Sequence, residues 1–132
     1  MYKVIKIYKG AMTSFIDLFN LDTGTLDKVF DDSSVVSYDD FEFMQEGGIY
    51  DCKIELFGDF DKTKTEKSVE VNIIDFEIVI GKTNYFKVLI GSDIYYILQS
   101  DAKGFEIKQK MYYHFTRKDL IQVDNVIHAD CL

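Results

Sequence analysis

Alternation of apolar and polar side chains at every second position is the feature that most restricts how this chain can fold. Residues 50–56 show it most clearly, because their apolar and polar members form two interleaved sets. The apolar set is Tyr50, Cys52, Ile54 and Leu56, and the polar set is Asp51, Lys53 and Glu55. Successive side chains of a strand point to opposite faces, so a strand with one face in the core produces this pattern. Cys52 is therefore predicted to point into the core and Glu55 towards solvent.

Further alternating segments follow along the chain, separated by short turns. The sequence has no proline, so glycine, asparagine, aspartate and serine must make the turns. We predict turns at residues 47–48 and 58–59, on either side of the first strand considered. Between residues 69 and 80 the apolar set changes phase at Ile73 and Ile74, which predicts a bulge or sharp bend where one strand serves two parts of a barrel. Strands are also predicted at residues 105–115 and 120–127.

These patterns predict an all-β fold with room for one short helix, in a single domain covering residues 1–132. The expected architecture is a small antiparallel β-barrel or sandwich, either OB-like or SH3-like. The sequence does not decide the secondary structure of two segments. Residues 11–20 fit a helix or a strand equally well, and residues 31–43 fit a short helix or an acidic loop.

Composition narrows the class of protein. At 132 residues and 47% hydrophobic content, the chain can enclose one hydrophobic core without disulfide bonds or bound metals to stabilise it. It has no apolar run of membrane-spanning length and no signal-peptide core, and its two cysteines are too few for a disulfide framework. We therefore expect a cytoplasmic protein.

Short motifs that could carry catalysis fit ordinary structure better. The stretch from Asp59 to Thr63 matches a phosphoryl-transfer signature, and Gly81 to Thr83 resembles part of a phosphate loop, but each lacks the flanking residues its chemistry needs. Both are predicted to be turns or loops.

The thiols and imidazoles do not predict a reactive centre either. An inward-facing Cys52 would be an unreactive thiol, and Cys131 is expected to be mobile near the C-terminus. His114 and His128 do not form a paired metal-ligand pattern with it, so unrelated surface positions are expected for them. We accordingly predict no catalytic residue, no metal and no cofactor.

Charge is distributed unevenly and supports a binding role. Between residues 17 and 61 there are thirteen acidic residues against two lysines. Proteins that neutralise a basic partner present carboxylates in this way and gain fast, salt-sensitive association. We predict a non-enzymatic binding protein with an immunity-, inhibitor- or anti-defence-type role, although the same charge would also serve solubility alone. The residues expected to contact a basic protein partner are Asp31, Asp32, Asp39, Asp40 and Glu42.

A second function class comes from the basic and aromatic segment at residues 105–118. If Phe105, Ile107, Met111, Tyr113 and Phe115 face the core, the intervening cations and rings form an outward stripe, as in grooves that bind single-stranded nucleic acid. That alternative set is Lys108, Lys110, Tyr112, His114, Arg117 and Lys118. A net charge of −8 weighs against a polyanionic partner.

Overall fold

The computed structural model describes residues 1–36 and 41–132, and this part of the chain is almost entirely β-structure. Its strands are β1 (Tyr2–Lys9), β2 (Ser14–Asn20), β3 (Leu26–Asp31), β4 (Ile49–Tyr50), β5 (Cys52–Asp61), β6 (Val69–Ile80), β7 (Thr83–Ile90), β8 (Asp93–Leu98), β9 (Lys110–Val123) and β10 (Val126–Ile127). Helical structure is limited to α1 (Ser33–Val36) and the 3-10 helices Gln99–Ala102 and Ala129–Cys131. The predicted β-rich class is confirmed. No helix of the described residues is long and apolar enough to cross a membrane.

All ten described strands belong to one mixed sheet. Its order is β4-β1-β2-β3-β9-β5-β8-β7-β6, with β10 paired to β9 and β6 also paired to β9. The last five strands of this order therefore close a circuit, but β5 and β8 pair at a single position, Glu55 with Tyr96, so the ring is uneven. That pairing is parallel, as is the pairing of Phe30 with Asp119 between β3 and β9. The prediction of a purely antiparallel sheet is thus wrong.

Strand β9 is the longest element and the partner of four other strands. Its register against β5 shifts between Phe57 and Gly58, where the facing residues pass from Arg117 to Phe115. A Cβ atom on Gly58 would lie 1.9 Å from the carbonyl oxygen of His114, so only glycine allows the two backbones to approach so closely. The predicted turn at residues 58–59 is wrong, because β5 continues to Asp61. The turn at Gly47 that leads into β4 is confirmed.

Other local predictions are decided by strand pairing. The phase change in β6 is confirmed as a register shift between Ile73 and Asp75, where the strand leaves β9 and continues with β7 alone. Residues 14–20 form a strand because they pair with β1 on one side and β3 on the other. The strand predicted at residues 105–115 begins only at Lys110. The final predicted strand is interrupted by a turn in which Asp124 has a φ of 51°, and β10 follows.

Buried side chains form two clusters on either side of β5 and β9. The larger includes Val4, Leu18, Ile54, Leu56 and Tyr113. The smaller consists of Ile80, Tyr85, Tyr96, Ile121 and Cys131. Because the smaller cluster covers the face of β5 that carries Glu55, that residue is 8% exposed instead of facing solvent as predicted. Cys52, at 7% exposed, points inward as predicted.

Candidate binding pocket

A cavity of about 230 Å³, lined by both polar and apolar side chains, opens where β5, β7 and β9 meet the residue after β3 and the C-terminal 3-10 helix. We call it the acidic pocket. Its charged and polar lining consists of Asp32, Glu55, Thr83, Tyr85, Arg117, Asp119, His128, Asp130 and Cys131. Four of these side chains are carboxylic acids, supplied by separate parts of the chain. The smaller buried cluster forms its floor, since Tyr85, Ile121 and Cys131 belong to both.

The guanidinium of Arg117 is already neutralised by a neighbour on its own strand. Its Nε and Nη2 donate to the two carboxylate oxygens of Asp119 at 2.6 and 3.1 Å, a bidentate arrangement that matches both planar groups. The guanidinium carbon also lies 4.5 Å from the ring centroid of Phe30 and 4.7 Å from that of Phe57. Arg117 is therefore held in place, and the remaining pocket carboxyls set the sign of the local charge.

Glu55 is the buried acid of the pocket. The phenol of Tyr85 donates a hydrogen bond of 2.9 Å to its Oε1. Desolvation raises the pKa of Glu55 to about 7, although the hydrogen bond from Tyr85 acts in the opposite direction. The carboxyl therefore changes its charge near neutral pH, and an approaching cation would favour its ionised form.

Cys131 lies beside the same phenol, with its sulfur 3.3 Å from the Tyr85 oxygen. It is 2% exposed, so the prediction of a mobile terminal cysteine is wrong. Cys131 is fixed because the C-terminal segment packs against the turn before β7, where the backbone N–H of Lys82 donates to the Cys131 carbonyl oxygen at 2.6 Å. Burial raises the pKa of this thiol and keeps it from being a nucleophile at neutral pH.

His128 is buried at 3% exposure, which corrects its expected surface position. The backbone N–H of Asp130 donates to its Nδ1 at 3.0 Å, which assigns the ring proton of the neutral imidazole to Nε2. That Nε2–H donates to Asp32 Oδ1 at 2.6 Å. Both nitrogens thus have partners, and the ring connects the end of β3 to the C-terminal segment.

The same residues are the described group with the composition of a metal site. Asp32, His128 and Asp130 each offer a ligand atom, and these atoms lie within 4.8 Å of one another. An ion bound at Nε2 would have to replace the proton shared with Asp32, while Nδ1 is taken by a backbone donor. The geometry therefore fits a hydrogen-bonded histidine better than a metal ligand.

The described members of the predicted acidic set line two different cavities. Asp31 accepts a hydrogen bond of 2.9 Å from the backbone N–H of Ser33, and with Glu42 it lines a separate cavity of about 190 Å³. Asp32 is the predicted residue that reaches the acidic pocket. Asp39 and Asp40 lie outside the described residues.

The predicted basic stripe is divided between two places. Lys108, Lys110 and Tyr112 line a groove of about 340 Å³ together with Lys62. His114 lies at the edge of this groove, because its Nδ1 is 2.9 Å from the carboxylate of Asp61, which also lines the groove, and this hydrogen bond lowers the pKa of Asp61. The register shift in β9 separates Arg117 from the groove and places it at the acidic pocket.

Lys118 also departs from the predicted stripe. Its Nζ lies 2.5 Å from Oδ1 of Asp27, which is 2% exposed, and Tyr95 donates to the other oxygen of that carboxylate at 2.7 Å. The expected common outer face is therefore not formed, because the bulge changes which β9 side chains point inward.

No family model, curated protein or solved structure matches this chain.

Sequence reasoning missed most of the acidic pocket. Glu55, Tyr85, Asp119 and Asp130 each sit in unremarkable strand or terminal sequence, and Arg117 was assigned to a different site. A usable signal was the spacing of Arg117 and Asp119, since residues two apart share one face of a strand and can pair. Nothing local indicates that the C-terminus folds back to complete the cavity.

Proposed function

We propose that this chain is a non-enzymatic binding protein that recognises a basic partner protein through the acidic pocket. The observation that carries the proposal is the charge of the lining: Asp32, Glu55 and Asp130 remain after Arg117 and Asp119 have neutralised each other. A cavity with surplus carboxyls favours a lysine or arginine side chain. The net charge of −8 would speed the encounter with a basic protein at low salt.

The individual carboxyls differ in ways that suit an anchoring pocket. The Asp130 side chain is 66% exposed and is available at the surface, whereas that of Asp32 is 38% exposed and fixed by His128. Glu55 lies deeper and would lose its proton when an ammonium or guanidinium group enters. Such pre-organisation reduces the entropy lost when a partner side chain is bound.

Absence of catalysis is part of the proposal. The Cys131 thiol is buried with a raised pKa, and His128 uses both ring nitrogens in hydrogen bonds. Neither group has the free nucleophile or base position that acyl or phosphoryl transfer requires. An inhibitor-, immunity- or anti-defence-type role, in which carboxylates occupy a basic site of another protein, is the class of function that these features support.

The test is a titration with a synthetic peptide in which arginine alternates with glycine, and with a matched peptide carrying glutamine in place of arginine. Binding is monitored through chemical-shift changes in proton–nitrogen correlation spectra. We expect only the arginine peptide to perturb amides around the pocket, and we expect Asp32→Asn or Asp130→Asn to weaken its binding about twofold to fivefold, as the loss of one partly exposed charge pair does.

Asp75→Asn is the matched control, because Asp75 is an exposed carboxylate on β6 and does not line the pocket. Equal weakening by this control would reduce the effect to general electrostatic attraction. No binding of the arginine peptide at low salt would refute the role of the pocket.

A second candidate function is the binding of single-stranded nucleic acid by an OB-like or SH3-like barrel. The groove that holds Lys62, Lys108, Lys110 and Tyr112 favours it, since cations and a ring lie together there. The salt bridge of 3.3 Å from Lys110 to Glu70 reduces the positive charge available. Oligothymidylate binding at low salt that is lost in Lys108→Glu would support this candidate, and no binding by the wild type would remove it.

A further inference from the structure

Four aromatic side chains and one arginine form a line across five neighbouring strands. We call this line the aromatic row and define it as Tyr8, Phe15, Phe30, Arg117 and Phe57. The strand register sets it, because Tyr8 faces Phe15, Phe15 faces Phe30, and Arg117 faces Phe57. Phe30 is joined to β9 through its pairing with Asp119, which shares a strand face with Arg117.

The row is not part of the hydrophobic core. Tyr8, Phe15 and Phe57 are 40%, 41% and 48% exposed, while Ile16 and Val29, on the opposite face of the same strands, are buried. Within the row the centroids of Phe15 and Phe30 lie 5.3 Å apart, and the Arg117 guanidinium lies against the rings of Phe30 and Phe57. An exposed aromatic line with an arginine in it has the composition of the centre of a protein interface.

One end of the row opens into the acidic pocket. Phe57 and Arg117 belong to both, and Asp119 holds Arg117 at the junction. A ligand that reaches the pocket carboxyls can therefore continue along the rings without leaving the protein surface. At about 4.8 Å between neighbouring strands, five strands span roughly 19 Å, about the length of six extended residues.

We infer that the row binds an extended segment of the basic partner that carries aliphatic or aromatic side chains next to its lysine or arginine anchor. This inference rests on the proposed function, which supplies the anchor. Charge favours such a segment over a nucleic acid, because the pocket at the end of the row is acidic and repels phosphate.

Cations already lie against the ring faces of the row, and this also favours apolar ligand groups. Lys28 and Lys6 lie 4.2 and 5.2 Å from the Tyr8 centroid, and Arg117 lies between the rings of Phe30 and Phe57. The faces that nucleobases would use for stacking are therefore partly occupied. Ring edges and exposed ring carbons remain, and these suit leucine-like or phenylalanine-like contacts.

The experiment uses three peptides of equal length. The first has one arginine followed by alternating leucine and serine, the second replaces each leucine by serine, and the third replaces the arginine by glutamine. Dissociation constants are measured with the wild type, with Phe15→Ser and Tyr8→Ser in the row, and with Asp130→Asn in the pocket. Val79→Ser is the control, because Val79 is 62% exposed on β6 and lies outside the row.

We expect the leucine peptide to bind about tenfold more tightly than the serine peptide, as one or two interface anchors typically contribute. Phe15→Ser and Tyr8→Ser should remove this difference without altering serine-peptide binding, and Val79→Ser should leave it intact. Melting temperatures close to that of the wild type show that the row variants are folded, as expected for exposed positions.

The outcomes separate the two proposals. A leucine peptide that gains nothing over the serine peptide, while Asp130→Asn weakens both, overturns the aromatic row and leaves the acidic pocket standing. A glutamine peptide that binds as well as the arginine peptide, with Phe15→Ser weakening both, refutes the basic anchor but not the apolar row. If oligothymidylate binds and Phe15→Ser weakens that binding, while the leucine peptide binds no more tightly than the serine peptide, the row is assigned to nucleic acid and the inference is overturned.

Discussion

Glu55 Oε1 on β5 accepts a hydrogen bond of 2.9 Å from the phenol of Tyr85 on β7, thirty residues away in the sequence. A carboxyl placed there is held by a donor yet withdrawn from water, and its pKa of about 7 reflects the dominance of desolvation. This one contact links stability, pH and the proposed binding of cations.

Stability should fall as the pH rises from about 4.5 to about 7. The folded pKa of Glu55 lies above its ordinary value of 4.5, so the stabilisation is complete below pH 4.5 and is lost through pH 7. This pKa shift limits the contribution of Glu55 to the free energy of unfolding to about 3 kcal/mol at most. We predict that Glu55→Gln raises the melting temperature at pH 8 and leaves it nearly unchanged at pH 4.5. Thermal unfolding across this range measures the effect, and equal stabilisation at both pH values would contradict it.

Binding of a basic peptide near pH 7 should release a proton. A cation in the pocket favours ionised Glu55, so a carboxyl that is partly protonated beforehand must ionise. Calorimetry in two buffers of different ionisation enthalpy measures the number of protons released. We predict a fractional release at pH 7 that disappears in Glu55→Gln and persists in Asp75→Asn, and an unchanged release in Glu55→Gln would assign it to another group.

Separation of Asp27 from Lys118 should be strongly destabilising. Asp27 is 2% exposed and accepts from both Lys118 and Tyr95, so removal of the ammonium leaves a buried carboxylate without its cation. We predict that Lys118→Met costs about 3 kcal/mol in the free energy of unfolding, measured in urea. The double variant Lys118→Met with Asp27→Asn should cost less than the sum of the two single changes, and simple additivity would show that the pair is not coupled.

Gly58→Ala should disrupt the bulge between β5 and β9. The added Cβ would lie 1.9 Å from the His114 carbonyl oxygen, and neither backbone can yield without breaking the ladder. We predict a loss of at least about 2 kcal/mol in the free energy of unfolding. Gly104→Ala is the matched control, since Gly104 has a φ of 84° but open space around it, and it should cost about 1 kcal/mol. A loss in Gly58→Ala no larger than that in Gly104→Ala would contradict the clash with the His114 carbonyl, because Gly58 has no positive φ.

The two cysteines should be unreactive in the folded protein. Cys52 and Cys131 are 7% and 2% exposed, and burial raises both thiol pKa values, that of Cys52 to about 12. We predict that alkylation of Cys52 by iodoacetamide at pH 8 is roughly a thousandfold slower than that of an exposed cysteine, because so little thiolate is present. Both should react rapidly in urea, and fast labelling of the native protein would contradict the burial.

The alternation of apolar and polar residues along each strand explains what could be predicted from the sequence. The strand at Cys52, the inward direction of its thiol and the bend in β6 follow from the spacing of apolar residues, because adjacent side chains of a strand must point to opposite faces. The ambiguity of residues 11–20 was of a different kind. Phe15 and Phe19 fit both periods, and only pairing with β1 and β3 selected the strand.

The sequence by itself determined that the chain would form strands and, where no bulge interrupts a strand, which side chains would share a face. Tertiary structure alone decided what covers each face: the smaller cluster buries Glu55, and the C-terminal segment brings His128 to Asp32, ninety-six residues earlier. The physical reason is that alternation is a property of neighbouring residues, whereas burial, charge pairing and cavities depend on which distant segments pack together.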